Sequence, residues 1–145
     1  MMRRVAVLGS TGSIGTTALK VLARHRDRFA VSALTAHGNT NLLAAQAAEW
    51  RPAFTGLVAP NGSRPPADWA TGPGALVNAA IRADVDIVLN AVVGVAGMDA
   101  TLAALGAGKR VALANKETLV VAGADRKSTR LNSSHIPLSR MPSSA

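Results

Sequence analysis

The sequence lacks cysteine and tyrosine entirely, and Phe and Trp make up only 3% of its 145 residues. Without cysteine, a disulfide scaffold, a Cys-ligated zinc site and a thiol nucleophile are excluded. With so few rings, the core must be built from Ala, Val, Leu and Ile, which is typical of parallel-sheet α/β domains. No apolar run approaches the roughly 20 residues that cross a bilayer. We expect no signal peptide, because Arg3 and Arg4 lead directly into a predicted strand and not into a longer apolar segment. We therefore expect a cytoplasmic protein without a membrane partner.

Acidic residues are also scarce, and the formal net charge is +8. An excess of positive charge suggests nucleic acid as a possible class of partner. The cations are scattered, however, apart from a cluster in residues 24–28 at the end of a predicted helix, where Lys and Arg are common. No aromatic side chains are interleaved with them, as they are in single-strand binders. We expect no nucleic-acid partner.

Residues 125–145 differ from the rest of the chain because they are polar and aperiodic, a composition that predicts disorder. We assign residues 1–124 to one domain and residues 125–145 to a tail. The stretch from Asp125 to His135 resembles the conceptual translation of a common sequencing-library adapter, and residues 140–145 resemble the far end of the same oligonucleotide. We interpret the tail as non-native and exclude it from the fold.

Short apolar runs alternate with Ala- and Leu-rich stretches of helical period over the remaining residues. The predicted strands cover 4–8, 29–35, 55–58, 86–94 and 110–114, and the predicted helices cover 16–24, 40–50, 75–82 and 97–107. A long surface loop is expected at 59–74, where prolines and glycines cluster. Strands separated by helices require right-handed crossovers. The alternation therefore predicts a Rossmann-like, doubly wound parallel sheet that binds its ligand at the carboxyl ends of the strands.

Gly9, Gly12 and Gly15 recur at every third position between the first predicted strand and helix. Glycine permits a tight turn and lets backbone amides approach a pyrophosphate at a helix N-terminus. Thr11 and Ser13 add hydroxyl donors. The spacing favours a dinucleotide-binding loop, and the alternative is a glycine-rich turn without a ligand. A P-loop is excluded because no Gly-Lys-Ser/Thr ending follows.

The second loop bears on which dinucleotide is bound. An NAD site places an Asp or Glu roughly 20 residues beyond the glycines, at the end of the second strand, where it bonds the ribose 2′-hydroxyl. Residues 35–40 contain no acid, and Asp27 comes before the strand. No carboxylate there would repel a 2′-phosphate, and Asn39 could donate a hydrogen bond to the phosphate. We therefore predict NADP(H) rather than NAD(H), and we interpret His37 as a solvated loop residue.

Two later loops carry further candidates. Residues 90–97 are small and apolar, which suits either close passage of a flat cofactor ring or a packed turn. Asn115, Lys116 and Glu117 follow the last predicted strand, and a lysine there can polarise a carbonyl or hold a phosphate. The alternative is that Glu117 is a first-turn acid favoured by the helix dipole, with Lys116 as its solvated neighbour.

Together, three stretches of this sequence resemble the amino-terminal part of the 1-deoxy-D-xylulose 5-phosphate reductoisomerase family. They are Gly9-Ser-Thr-Gly-Ser-Ile-Gly15, Asn90-Ala-Val-Val-Gly94 with Ala96-Gly97, and Leu113-Ala-Asn-Lys-Glu-Thr-Leu-Val120. The last is very specific for the family, and the resemblance covers residues 3 to about 123. It implies an enzyme of non-mevalonate isoprenoid biosynthesis. This enzyme rearranges 1-deoxy-D-xylulose 5-phosphate and reduces the resulting aldehyde with NADPH to 2-C-methyl-D-erythritol 4-phosphate, using Mg or Mn.

The same resemblance implies roles for individual residues. NADPH contacts are implied for residues of the first, second and fourth loops, namely Thr11, Gly12, Ser13, Ile14, Gly38, Asn39, Asn115 and Glu117. Lys116 would touch the phosphosugar substrate. The family often has a basic residue where this chain has His37 and Gly38. Its metal ligands, other phosphate-binding residues, lid and C-terminal helical domain lie beyond the matched region. We therefore assign no catalytic or metal residue, and we expect homodimerisation only in the full-length protein and weak NADPH binding without turnover in this chain.

Two other functions remain open from the residues themselves. One is an NADP-dependent dehydrogenase of the aspartate-semialdehyde type, whose Cys nucleophile would lie further along, although the sequence Asn115-Lys-Glu argues against it. The other is an NADP-binding module without chemistry. An Asp-Ser-Glu motif a few tens of residues after Lys116 in the genomic reading frame would favour the reductoisomerase.

The interpretation of the tail predicts a particular DNA sequence. We expect the codons of residues 125–135 to match the adapter oligonucleotide base for base, because a read-through artefact copies nucleotides rather than amino acids. Sequencing the coding DNA across residue 124 measures this. Different codons for the same residues would show that the tail is natural.

Overall fold

The alternation of apolar runs and helical stretches folds into an open sheet covered by helices on both faces. The structure, a computed structural model, describes residues 2–60, 64–92 and 94–113. Its strands are β1 (Arg3–Leu8), β2 (Phe29–Ala36), β3 (Phe54–Leu57), β4 (Ala70–Thr71), β5 (Ile87–Asn90) and β6 (Arg110–Leu113). Its helices are α1 (Ser13–Ala23), α2 (Thr40–Trp50), α3 (Ala75–Ala80) and α4 (Val95–Gly106).

All neighbouring strands are parallel, and their order is β4-β3-β2-β1-β5-β6. The order reverses at β1, which pairs with β2 on one side and with β5 on the other. In register, Leu8 at the end of β1 lies between Thr35 of β2 and Asn90 of β5. The carboxyl ends of these three central strands therefore form one edge, and such a reversal is where open α/β sheets bind ligands.

Each face of the sheet has its own aliphatic core. On one face, α1 and α2 cover β1 to β3 through Leu19, Leu22 and Leu43. On the other face, α3 and α4 cover the sheet largely through alanines, including Ala79, Ala100 and Ala104. Alanine lets a helix approach the sheet closely, and Gly56 in β3 allows the same, because a Cβ there would lie 2.9 Å from the Cβ of Ala75. The scarcity of aromatic residues is thus matched by close backbone packing.

The predicted fold class is confirmed, and the main differences concern where elements end. The predicted loop 59–74 contains the short strand β4, which pairs in parallel with β3. The predicted strand 86–94 stops at Asn90, because the Asn90 side chain accepts a hydrogen bond from the Val92 amide (3.0 Å) and turns the chain. Helix α1 begins at Ser13, three residues before its predicted start at residue 16. The predicted tail at 125–145 lies outside the described residues.

Ionic contacts of the sheet lie mainly at the opposite, amino-terminal edge of the strands. The turn between α3 and β5 holds a fork of two bonds from Arg82 to the Asp84 carboxylate (2.9 and 3.1 Å). The Arg82 guanidinium also lies over the Phe54 ring, 5.4 Å from its centroid. The hydrogen bonds from Arg82 hold the pKa of Asp84 below its usual value, against an opposing effect of burial.

This pKa shift predicts a pH-dependent contribution to stability. A carboxyl with a lowered pKa stabilises the fold above the unfolded-state pKa of 3.8 and loses that contribution as the pH falls through the folded-state pKa. We expect Asp84→Asn to lower the free energy of unfolding by about 0.5–1 kcal/mol at neutral pH, and the difference from wild type to vanish in acid. Urea unfolding at several pH values measures this. Asp99→Asn is the control, because Asp99 forms no ion pair within the described part of the chain.

Candidate functional site

Residues 9–15 comprise the turn after β1 and the first residues of α1. They lie where the strand order reverses, and we call them the glycine loop. Gly9 has a φ of +80°, which L side chains rarely adopt. A Cβ at Gly15 would collide with the Gly9 carbonyl oxygen and come within 2.6 Å of the Ser10 Cα. The first turn of α1 therefore rests directly on the backbone that leaves β1, and only glycine at position 15 permits this contact.

The glycine loop ends in a helix N-terminus whose amides are left unbonded. Gly12 is the N-cap of α1 and supplies no side-chain bond. Among the described residues, the backbone amides of Ser13, Ile14 and Gly15 have no acceptor, as expected for the first turn of a helix. The first turn carries no acidic side chain either. The partial positive charge of the helix N-terminus is therefore not neutralised, which favours an anion there.

Of the four predicted contacts in the glycine loop, two offer hydroxyl groups. Thr11 is half-buried and Ser13 is exposed, and neither hydroxyl bonds to another described residue. In contrast, Thr16 and Thr17 donate their hydroxyls to the Ser13 carbonyl (3.0 and 2.8 Å). The structure thus brings free amides and free hydroxyls together at the start of α1.

Ser10, which sequence reasoning did not single out, holds the glycine loop to its neighbours. It is fully buried, and its amide donates to the Thr35 carbonyl (2.8 Å). Its hydroxyl donates to Oε1 of Gln46 (2.6 Å), and its carbonyl accepts from Nε2 of the same side chain (2.8 Å). The sequence contained one signal for this, since Gln46 is a polar residue on the buried stripe of α2 that includes Thr40 and Leu43.

The second predicted loop follows β2 and leads into α2. Asn39 is exposed and caps the helix, its Oδ1 accepting from the Leu42 amide (3.1 Å). Its Nδ2 group bonds to no described residue and keeps its hydrogen-bond donors. Gly38 is half-buried, and its carbonyl accepts from the Thr40 amide (3.0 Å). The Thr40 hydroxyl is buried without a protein partner in the described chain, which is costly unless a water or a ligand bonds to it.

The third loop, predicted over residues 90–97, makes close contacts at the residues that the structure describes. Asn90 is fully buried, and its Nδ2 donates to the Gly97 carbonyl (2.7 Å) and to the Thr101 hydroxyl (2.6 Å). A Cβ at Gly97 would collide with the Val92 carbonyl oxygen. This loop also touches the first one, because a Cβ at Gly9 would lie 3.2 Å from the Ala91 carbonyl oxygen. These contacts favour the interpretation of this loop as a packed turn. Val93 lies outside the described residues.

The fourth set of candidates is not placed by the structure. Asn115, Lys116 and Glu117 lie outside the described residues, which end at Leu113 of β6. Leu113 pairs in register with Asn90, at the same edge of the sheet as the other loops.

Comparison with known proteins gives one consistent result. A model of the 1-deoxy-D-xylulose 5-phosphate reductoisomerase family matches residues 5–123. A reductoisomerase of that name from Laribacter hongkongensis is 46% identical over 130 residues. The match covers 84% of this chain and 34% of that protein. The chain thus spans about a third of the length of this curated relative.

Solved structures of reductoisomerases have the same fold. One, from Zymomonas mobilis in complex with NADPH, is 42% identical, with a TM-score of 0.75, and the match covers 86% of this chain and 35% of that one. Another, a complex with magnesium, is 37% identical, with a TM-score of 0.78, and the match covers 85% of this chain and 33% of that one. The predicted Rossmann-like architecture is confirmed by both.

The collision at Gly15 gives a prediction for the glycine loop. We expect Gly15→Ala to lower the free energy of unfolding by about 2 kcal/mol, because the added methyl must push α1 away from Gly9 and Ser10. Gly12→Ala is the matched control. Its Cβ would have an ordinary contact of 3.7 Å with the Gly9 carbonyl oxygen, so its free energy of unfolding should stay within about 0.5 kcal/mol of wild type. Urea unfolding followed by circular dichroism measures both, and equal effects would contradict this account.

Proposed function

We propose a function from one premise, which is that this chain belongs to the 1-deoxy-D-xylulose 5-phosphate reductoisomerase family. The proposed function is to form the NADPH-binding portion of an enzyme that isomerises 1-deoxy-D-xylulose 5-phosphate and reduces it to 2-C-methyl-D-erythritol 4-phosphate. The observation that carries it is the glycine loop at the reversal of strand order, in a chain that matches the family over residues 5–123. The match to the family favours this function over a semialdehyde dehydrogenase.

The described residues fit a dinucleotide at the glycine loop. Unbonded amides begin α1, glycine at position 15 keeps the backbone compact, and no acid lies in the first turn. These features suit a diphosphate. We assign the diphosphate and its adjoining ribose to Thr11, Gly12, Ser13 and Ile14.

NADPH rather than NADH is proposed because of the second loop. An NAD-type site would need a carboxylate at the end of β2, and residues 35–40 contain none. The free Nδ2 group of Asn39, an exposed residue, supports binding of a phosphate oxygen near Gly38. The Zymomonas mobilis relative, which was solved with NADPH, adds further support.

In the proposed enzyme, bound NADPH supplies the hydride that reduces the aldehyde. The residues of this chain would bind and orient the coenzyme. The amides at the start of α1 would hold the diphosphate, while Ala91 and Val92 lie against Gly9. Asn115 and Glu117 are proposed to border the coenzyme, and Lys116 to hold the phosphosugar. These three roles stay predictions.

The proposal also covers metal binding, dimerisation and cellular location. Within the described residues, no group of three His, Asp or Glu side chains could hold a metal ion, so we derive no step through one and place Mg or Mn binding outside this part of the chain. Homodimerisation and a cytoplasmic location are proposed for the full-length protein. None of the described helices combines the length and the apolar character needed to span a bilayer.

Titration with coenzyme tests the proposed function. We expect NADPH to shift the amide resonances of Thr11 through Gly15 in ¹⁵N-labelled protein, because those amides begin the helix that receives the diphosphate. NADH should bind at least about tenfold more weakly, since it lacks the 2′-phosphate. Folded protein whose Thr11–Gly15 resonances do not respond to NADPH would contradict the proposal.

A further inference from the structure

We propose that Gln46 is a positioning residue for the coenzyme diphosphate and acts through Ser10. This inference rests on the proposed function, because it concerns how the same glycine loop is prepared for its ligand. Gln46 lies on α2 and is distant in sequence from the loop. Its carboxamide nevertheless binds one loop residue through both its oxygen and its nitrogen.

The contact between Gln46 and Ser10 is short, double and buried. The Ser10 hydroxyl donates to Oε1 (2.6 Å), and Nε2 donates to the Ser10 carbonyl (2.8 Å). Ser10 is fully buried and Gln46 is 7% exposed. The two bonds close a ring across 36 positions of sequence. Buried hydrogen bonds with both partners satisfied select one arrangement, because any other leaves polar groups unpaired.

Ser10 is the residue of the glycine loop whose amide, carbonyl and hydroxyl groups all form hydrogen bonds to other elements. Its amide is held by the Thr35 carbonyl, and its carbonyl and hydroxyl are held only by Gln46 among the described residues. The following peptide groups lead directly to the unbonded amides at the start of α1. A backbone hydrogen bond within the loop, from the Gly12 amide to the Gly9 carbonyl, is longer (3.3 Å) than the bonds between Ser10 and Gln46. Without Gln46, the peptide group between Ser10 and Thr11 would lose the one hydrogen bond that holds its carbonyl, and the Ser10 hydroxyl would lose its acceptor.

Helix α2 also joins two parts of the proposed site. Asn39 caps its start, where the 2′-phosphate is proposed to bind, and Gln46 lies seven residues later. That spacing is about 10 Å along the helix axis. A single rigid helix thus connects the second loop to the glycine loop. Donors held in place before the ligand arrives bind it more tightly, because less freedom is lost on binding.

The decisive comparison is between Gln46→Leu and Leu43→Val in the 145-residue chain. Both side chains lie on the buried face of α2, but Leu43 does not bond to Ser10. We expect Gln46→Leu to weaken NADPH and NADH by the same factor of about ten, because both share the diphosphate. Leu43→Val should reduce stability while leaving both affinities within about twofold of wild type. Fluorescence titration well below the unfolding temperature measures the affinities.

Hydrogen exchange in the coenzyme-free chain tests the positioning independently of binding. In Gln46→Leu, we expect the Gly9 and Ser10 amides to exchange about tenfold faster, while those of Val7 and Leu34 keep the wild-type rate. Exchange that rises evenly through the chain, or a loop that keeps its protection, would overturn the inference. The wild-type chain could fail to bind NADPH while the glycine loop of Gln46→Leu still exchanges faster. In that case the proposed function fails and the positioning of Ser10 by Gln46 stands.

Gln46→Glu and Ser10→Ala provide variants with milder changes. A protonated glutamic acid has the donor and acceptor arrangement of glutamine, whereas its carboxylate lacks the donor for the Ser10 carbonyl. We expect the affinity of Gln46→Glu for NADP⁺, relative to wild type at the same pH, to recover as the pH falls. Ser10→Ala removes only the bond to Oε1, so its loss of affinity should be smaller than that of Gln46→Leu. A relative affinity of Gln46→Glu that does not change with pH, or a larger loss in Ser10→Ala, would overturn the proposed role.

Discussion

The direct contact between the first turn of α1 and the backbone leaving β1 is the constraint on which the rest of the site depends. Gly15 lies so close to Gly9 and Ser10 that no side chain fits between them. This contact brings the helix N-terminus to the end of the central strand, where the order of strands reverses. The unbonded amides of the first turn therefore face the edge of the sheet at which such folds bind their ligands.

Two buried amide side chains, those of Gln46 and Asn90, shape this edge of the sheet. Gln46 binds Ser10 on the face covered by α1 and α2, and Asn90 binds Gly97 and Thr101 on the face covered by α4. Aliphatic packing tolerates small shifts of a helix along the sheet, whereas a buried amide loses its bonds when its partners move. The glycine loop and the loop after β5 are therefore each held by one amide side chain, and these two loops touch where Gly9 approaches Ala91.

The chain corresponds to one part of longer relatives. It spans about a third of the length of the curated relative it matches, and its described residues contain no cluster suited to a metal. What these residues offer is a site for an anion, free hydroxyls at Thr11 and Ser13, and a second loop without acid. In the proposed enzyme, coenzyme binding and orientation belong to this domain.

Local patterns in the sequence predicted most of the architecture, because each apolar run and each helical stripe is a property of neighbouring residues. They placed the glycine loop at Gly9 to Gly15 and a helix over residues 40–50, both of which the structure confirms as elements. They did not reveal β4, since a two-residue strand has no period and exists only by pairing with β3. They also extended β5 beyond Asn90, because the turn there depends on a side-chain bond. The candidates Asn115, Lys116 and Glu117 rest on the sequence alone.

The sequence by itself determined the fold class and the position of the loop, since these follow from residue order and spacing. Its resemblance to known proteins indicated the family. Only the tertiary structure decided that Gln46 meets Ser10 and that glycine is required at position 15. Both facts depend on distances between segments that are far apart in the chain or folded back on each other. Such contacts arise when the helices settle on the sheet, and no short stretch of sequence contains them.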